Sequence, residues 1–191
     1  MKKIAVIVGL SLSLQGCIFV AGAAAGAAAI AVVYDHRTIS NNVEDTRIAT
    51  KVANKLHKVP TLQDSHVDVS VFNHVVLLTG QTPNPASRQV AEEVAKTVPD
   101  VDRVYNQLTI EGPTSSLTRT SDSWITTKIK TQMLATDDLK SSSIKVITES
   151  GVVYLMGIVN HQQADIAVDI ARQVSGVQKV VKIFQYKKPV V

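Results

Sequence analysis

Cysteine is almost absent from this chain: Cys17 is the single one in 191 residues. That excludes an internal disulfide framework and any paired-cysteine zinc site. Aromatic residues make up only 4%, with one Trp, so a core has to be built from Val, Ile, Leu and Ala. The hydrophobic share of 45% is enough for such a core and argues against wholesale disorder. The five histidines, His36, His57, His66, His74 and His161, form no HxH, HxxxH or HExxH arrangement. Phosphate-cradling and dinucleotide glycine patterns are missing too. Gly22-x-x-x-Gly26 lies in an Ala-rich stretch where chance explains it better than helix packing. Asp137-Asp138 and Glu92-Glu93 read as solvated charges, not catalytic pairs. Without a convergent set of titratable groups, neither catalysis nor a metal or diffusible cofactor is expected. Strong charge is also lacking. The formal net charge is +4, too mild for a dedicated nucleic-acid binder. Its distribution is uneven: residues 43–112 hold seven basic and nine acidic side chains, residues 113–191 ten and six. The C-terminal half is therefore the one suited to an anionic partner.

Lys2 and Lys3 followed by the apolar run Ile4–Leu14 have the form of a secretory leader, a run too short to cross a bilayer alone. It ends in Leu14-Gln15-Gly16-Cys17, which resembles a bacterial lipobox. The resemblance implies removal of residues 1–16 and a covalent lipid on Cys17. An exported single thiol has no other evident purpose. The competing reading is an uncleaved anchor, since no charge falls between Lys3 and Asp35. Ile18, not Asp, follows the cysteine. By resemblance to sorted lipoproteins, the expected destination is the outer membrane, facing the periplasm. Residues 17–42 then form a tether rich in Ala and Gly, lying partly in the membrane or free of it.

An internal repeat organises the remainder. At an offset of 77, Ile48 aligns with Ile125, Lys51 with Lys128, Val52 with Ile129, Val69 with Val146, Leu78 with Leu155 and Gly80 with Gly157. After one deletion, Asn84 aligns with Asn160, Ala91 with Ala167 and Val104 with Val180. Each copy reads helix, strand, strand, helix, strand. The first helices carry Ile48, Val52 and Leu56, or Ile125, Ile129 and Met133, at spacing four. Val67, Val69 and Val71 alternate as a half-buried strand, matched by Ile144, Val146 and Thr148. Asn73-His74 and Ser150-Gly151 can make tight turns into second strands over 75–78 and 152–156. Asn84 and Asn160 are good caps for the next helices, with Pro85 suited to the first helical position. Last strands are expected over 104–110 and 180–186. The expected organisation is a first module over 43–111, a linker over 112–120 and a second module over 121–188.

This pattern, with its Val-rich hairpin ending in Gly80 or Gly157, "SGVVYLMG", "SDSWITTK" and the closing Val101-x-x-Val104 or Val177-x-x-Val180, resembles the BON domain. A lipobox followed by two such units resembles the dual-BON outer-membrane lipoproteins. The implied fold is α+β: two tandem αββαβ domains, each a three-stranded mixed sheet with two helices on one face. The resemblance also implies binding of anionic phospholipid through the second domain. It further implies a role in envelope integrity and at division sites, with outer-membrane protein assembly or cell-wall remodelling factors as partners.

Comparing the two copies isolates what the fold does not require. Trp124 aligns with Arg47, and Arg is rarely fully buried. The only Trp is therefore expected on an outer helix face, with Lys128 one turn on and Lys130 nearby, where copy one has Ala53. A surface Trp among lysines has the composition of a membrane-interface element. A contact between domains, or with a partner protein, is the alternative. The expected phospholipid-binding set is Trp124, Ile125, Thr127, Lys128 and Lys130, with Thr127 offered as a hydroxyl donor to phosphate.

Overall fold

The structure, a computed structural model, describes residues 36–112 and 115–187. The leader, Cys17 and residues 18–33 lie outside the described residues. The first module runs α1 (His36–His57), β1 (His66–Phe72), β2 (Val75–Thr82), α2 (Pro85–Lys96), β3 (Arg103–Asn106) and β4 (Thr109–Ile110). The second runs α3 (Ser116–Leu134), β5 (Ile144–Glu149), β6 (Val152–Val159), α4 (His161–Gln173) and β7 (Lys179–Tyr186). In each sheet the hairpin is antiparallel and the last strand joins parallel to the second, giving the orders β1-β2-β3 and β5-β6-β7; β4 also pairs parallel with β2, so the first sheet has four strands where three were expected. The α+β fold expected from the sequence is present in both halves.

Local chemistry accounts for the element ends. The Asn84 and Asn160 side chains accept the backbone N–H groups of Ser87 and Gln163, both at 2.8 Å, and so cap α2 and α4. Both central residues of each hairpin turn adopt positive φ, 46° and 64° at Asn73 and His74, 50° and 76° at Ser150 and Gly151. Three of these four carry side chains, a conformation that needs support. It comes from a buried carboxylate on the preceding helix. Asp45 accepts the Asn73 and His74 N–H groups at 2.7 and 3.0 Å. Asp122 accepts those of Ser150 and Gly151, each at 2.8 Å. Asp45 and Asp122 stand 77 residues apart, so the repeat itself carries this clasp. Gly80 and Gly157 end the hairpins because a side chain would not fit. A Cβ there would lie 2.1 Å from the His66 carbonyl oxygen or 2.6 Å from that of Ser143.

Five boundaries differ from expectation, and two of them are the second strands, which run on to Thr82 and Val159, past the expected ends at 78 and 156. The strand expected over 104–110 is broken between β3 and β4. There the Asn106 side chain accepts the Leu108 N–H at 3.3 Å and donates to the Arg88 carbonyl at 2.8 Å, while Leu108 turns into the core. Lys182, at the same place in the second module, cannot make the same turn, and β7 is continuous. Helix α3 begins at Ser116, inside the expected linker, capped by the Ser115 hydroxyl. Helix α1 begins at His36, inside the expected tether.

The central strands β2 and β6 are buried on both faces. Val76 and Leu78 point to one core with Ile48, Val52 and Ala91, while Val153 and Leu155 point to the other with Ile125, Ile129 and Ala167. The alternate residues Val75 and Leu77 meet Tyr154, Met156 and Ile183 in a third cluster, so the two sheets pack by their helix-free faces. Polar contacts seal its margins. Gln81 donates to the Glu149 carboxylate at 2.6 Å, and Asn73 donates to the Gln185 side-chain oxygen at 2.8 Å. Burial and the neighbouring Glu149 charge push the Tyr154 hydroxyl above its ordinary pKa, which keeps it neutral.

Candidate functional site on the outer face of α3

Helix α3 is fixed to the second core by Ile125, Ile129 and Met133, each no more than 1% exposed. At about 100° per residue, this stripe turns the opposite side of the helix to solvent. Trp124 sits there, 54% exposed. Leu117, two turns before it, is 82% exposed, and Leu134, near the end of the helix, is 78% exposed. Lys128, Thr131 and Thr127 are exposed between them. By helical rotation, Leu134, Thr127, Thr131, Trp124, Leu117 and Lys128 fall within about 120° of circumference. The result is an apolar stripe broken by hydroxyls, with an ammonium at its edge.

The expected site residues separate on this surface. Trp124 and Lys128 share the outer face as expected. Ile125 does not, because it is 1% exposed and packs into the core. Its contribution is to hold the helix in place. Thr127 is on the face, but its hydroxyl donates to the Ser123 carbonyl at 2.9 Å. Its proton is therefore committed, and the expected donation to phosphate is replaced by capacity to accept. Lys130 is turned about 160° from Lys128. It lines a cleft with Asp45 and Lys145, away from Trp124. Leu117 and Leu134 were not singled out by sequence reasoning. Leu117 fell in the expected linker. Leu134 carried a usable signal, since copy one has His57 at the equivalent position.

The equivalent face of α1 is polar. Arg47 takes the place of Trp124 and pairs with Asp100 at 3.2 Å across an exposed surface. Thr50 and Lys51 replace Thr127 and Lys128, and Ser40 stands in sequence where the second copy has Leu117. Among the described residues, no group of His, Cys, Asp and Glu side chains converges to hold a metal ion. None of the described helices is long and apolar enough to cross a membrane.

The BON domain profile matches residues 44–112 and 121–188. The outer membrane lipoprotein DolP of Haemophilus influenzae is 38% identical over 97% of this chain and 96% of its own length. A 21 kDa hemolysin of Actinobacillus pleuropneumoniae is 36% identical over 80% of this chain and 79% of its own. The osmotically-inducible protein Y of Escherichia coli is 32% identical over 74% and 72% respectively. With two matched domains and a relative aligned along nearly its whole length, this chain belongs to the BON-domain family as a two-domain member.

Proposed function

We propose that this chain is a non-enzymatic outer-membrane lipoprotein whose second BON module contacts anionic phospholipid through the outer face of α3. The observation that carries this reading is the exposed Trp124, flanked by exposed Leu117 and Leu134 with Lys128 at the edge. Large apolar side chains left in water beside an ammonium suit the boundary between headgroups and acyl chains. The full-length similarity to a protein named an outer membrane lipoprotein, and the lipobox ending in Cys17, support the location.

Magnitudes divide the labour between anchor and helix. Each buried acyl CH₂ contributes about 0.8 kcal/mol, so two or more chains on Cys17 would hold the protein at the membrane without help. A basic residue near an anionic surface adds about 1 kcal/mol. The α3 face therefore selects the lipids beside the protein and orients the module. Support of envelope integrity, enrichment at division sites and contact with assembly or cell-wall factors would follow from that positioning.

The test is flotation of the chain lacking its first 34 residues with vesicles containing phosphatidylglycerol. Trp124→Glu removes flotation and leaves the melting temperature unchanged. Equal flotation of variant and parent contradicts the reading. The rival reading, an adaptor with Trp124 anchored in a partner protein, predicts binding insensitive to salt. Lipid contact through lysine weakens as salt rises.

A further inference from the structure

Where the two modules meet, a cleft of about 450 Å³ opens between α1, the end of β1, α3 and the start of β5. The first module supplies Asn42, Asp45 and Phe72 to its wall, and the second supplies Lys130, Ser142 and Lys145. Lys145 is half-buried, and its ammonium donates to the Val71 carbonyl at 3.1 Å across the module boundary. Burial pushes Lys145 below its ordinary pKa. The Asp45 charge opposes that, and the Lys130 charge adds to it.

Among the described residues Asp45 is the only carboxylate lining this cleft, and both its oxygens are held by the hairpin-turn N–H groups. It offsets Lys145 in part. Lys130 has no ion pair within 4.0 Å among the described residues. Half-buried Lys145 and solvent-exposed Lys130 thus line one open cleft with one shared counter-charge, and an anion entering between them relieves their mutual repulsion. The fold does not demand either lysine. At the equivalent positions the first module has Ala53 and Asp68, and it forms the same hairpin and helices.

We infer that this cleft binds a phosphate group between Lys130 and Lys145, with the Asn42 amide and the Ser142 hydroxyl as further donors. Its volume lies within the roughly 300–1,000 Å³ usual for small-ligand sites. A phosphate there replaces ammonium–ammonium repulsion with charge-assisted hydrogen bonds. The phosphate can come from a lipid headgroup or from a soluble phosphate ester. This site does not rest on the α3 outer face.

The test uses the full lipidated chain, its lysine side chains isotopically labelled, in phosphatidylcholine nanodiscs. Inorganic phosphate is titrated while the Lys130 and Lys145 signals are followed by NMR. Both signals are expected to shift saturably, and Lys130→Met with Lys145→Met is expected to weaken phosphate binding at least tenfold. Trp124→Glu leaves this titration unchanged, so failure here is distinguishable from failure of the membrane reading. In a second arm, phosphatidylglycerol replaces part of the lipid and no phosphate is added. Movement of the same two signals there identifies a lipid headgroup as the source. Movement with inorganic phosphate alone identifies a soluble one. Lys130→Glu supplies the missing counter-charge, so it should raise the melting temperature and abolish the phosphate shift. Unmoved lysine signals in both arms overturn the proposal.

Discussion

The two modules share a fold, and their first helices differ on the outer face. Both bury the same aliphatic stripe, Ile48, Val52 and Leu56 in α1 and Ile125, Ile129 and Met133 in α3. Both brace a left-handed hairpin turn with a buried aspartate. On the outer face, α1 presents Arg47 paired with Asp100, while α3 presents Trp124 with Leu117 and Leu134 nearby. Fold requirements stop at the buried stripe and the turn, and the rest of the helix is free to carry function. A tandem repeat therefore serves as its own control. Positions kept in both copies report stability, and positions that differ report what one copy does alone.

The largest expected effect falls on what the copies share. Asp45→Ala and Asp122→Ala each leave two backbone N–H groups of a left-handed turn without their carboxylate. Each is expected to cost about 2–3 kcal/mol in denaturant unfolding. Losses that differ strongly between the two would break the equivalence of the modules. A smaller effect should follow from grafting. Arg47→Trp together with His57→Leu gives α1 an apolar outer face. In the Trp124→Glu background it should restore part of the vesicle flotation, several-fold above that variant alone. No recovery would show that α3 depends on more than its outer face.

The smallest effect separates the two turns. His74 occupies the first turn, where the second has Gly151. Its Nδ1 lies 2.8 Å from the Asp100 carbonyl oxygen and its Nε2 lies 3.7 Å from the Glu44 carboxylate. The carbonyl contact is the main cause raising its pKa above 6.5, burial opposes it, and the Glu44, Asp102 and Asp45 charges add to it. A raised folded-state pKa favours the protonated folded form. Its contribution is complete below the unfolded pKa of about 6.5 and fades as pH rises through the folded value. A slight fall in melting temperature over that window is expected, and His74→Asn should flatten it.

Much of this architecture was legible because periodicity and the repeat reinforced each other. Spacing of four marked the buried helix faces, alternation marked β1 and β5, and Asn84 and Asn160 marked helix starts. The face-to-face sheets were not recognised, although their signal was present. Val75–Leu78 and Val152–Met156 are unbroken apolar runs, where a strand covered on one face alone would alternate. The break after Asn106 depends on side-chain hydrogen bonds that no periodicity records. Lys130 was grouped with Trp124 by nearness in sequence. Six residues along a helix is about 120° of rotation from the starting face, enough to place it in a different site. Leu117 was hidden because Ser and Thr around it suggested a linker, whereas Ser115 caps a helix there.

We propose that the second module, and not the first, meets anionic lipid, and does so through α3. Amide NMR spectra of the chain lacking its first 34 residues, with anionic and then zwitterionic micelles, test this most directly. The account predicts shifts centred on α3 from Leu117 to Leu134, in anionic micelles only, with α1 unmoved. Shifts on α1 around Arg47, or none on α3 in anionic micelles, would contradict it.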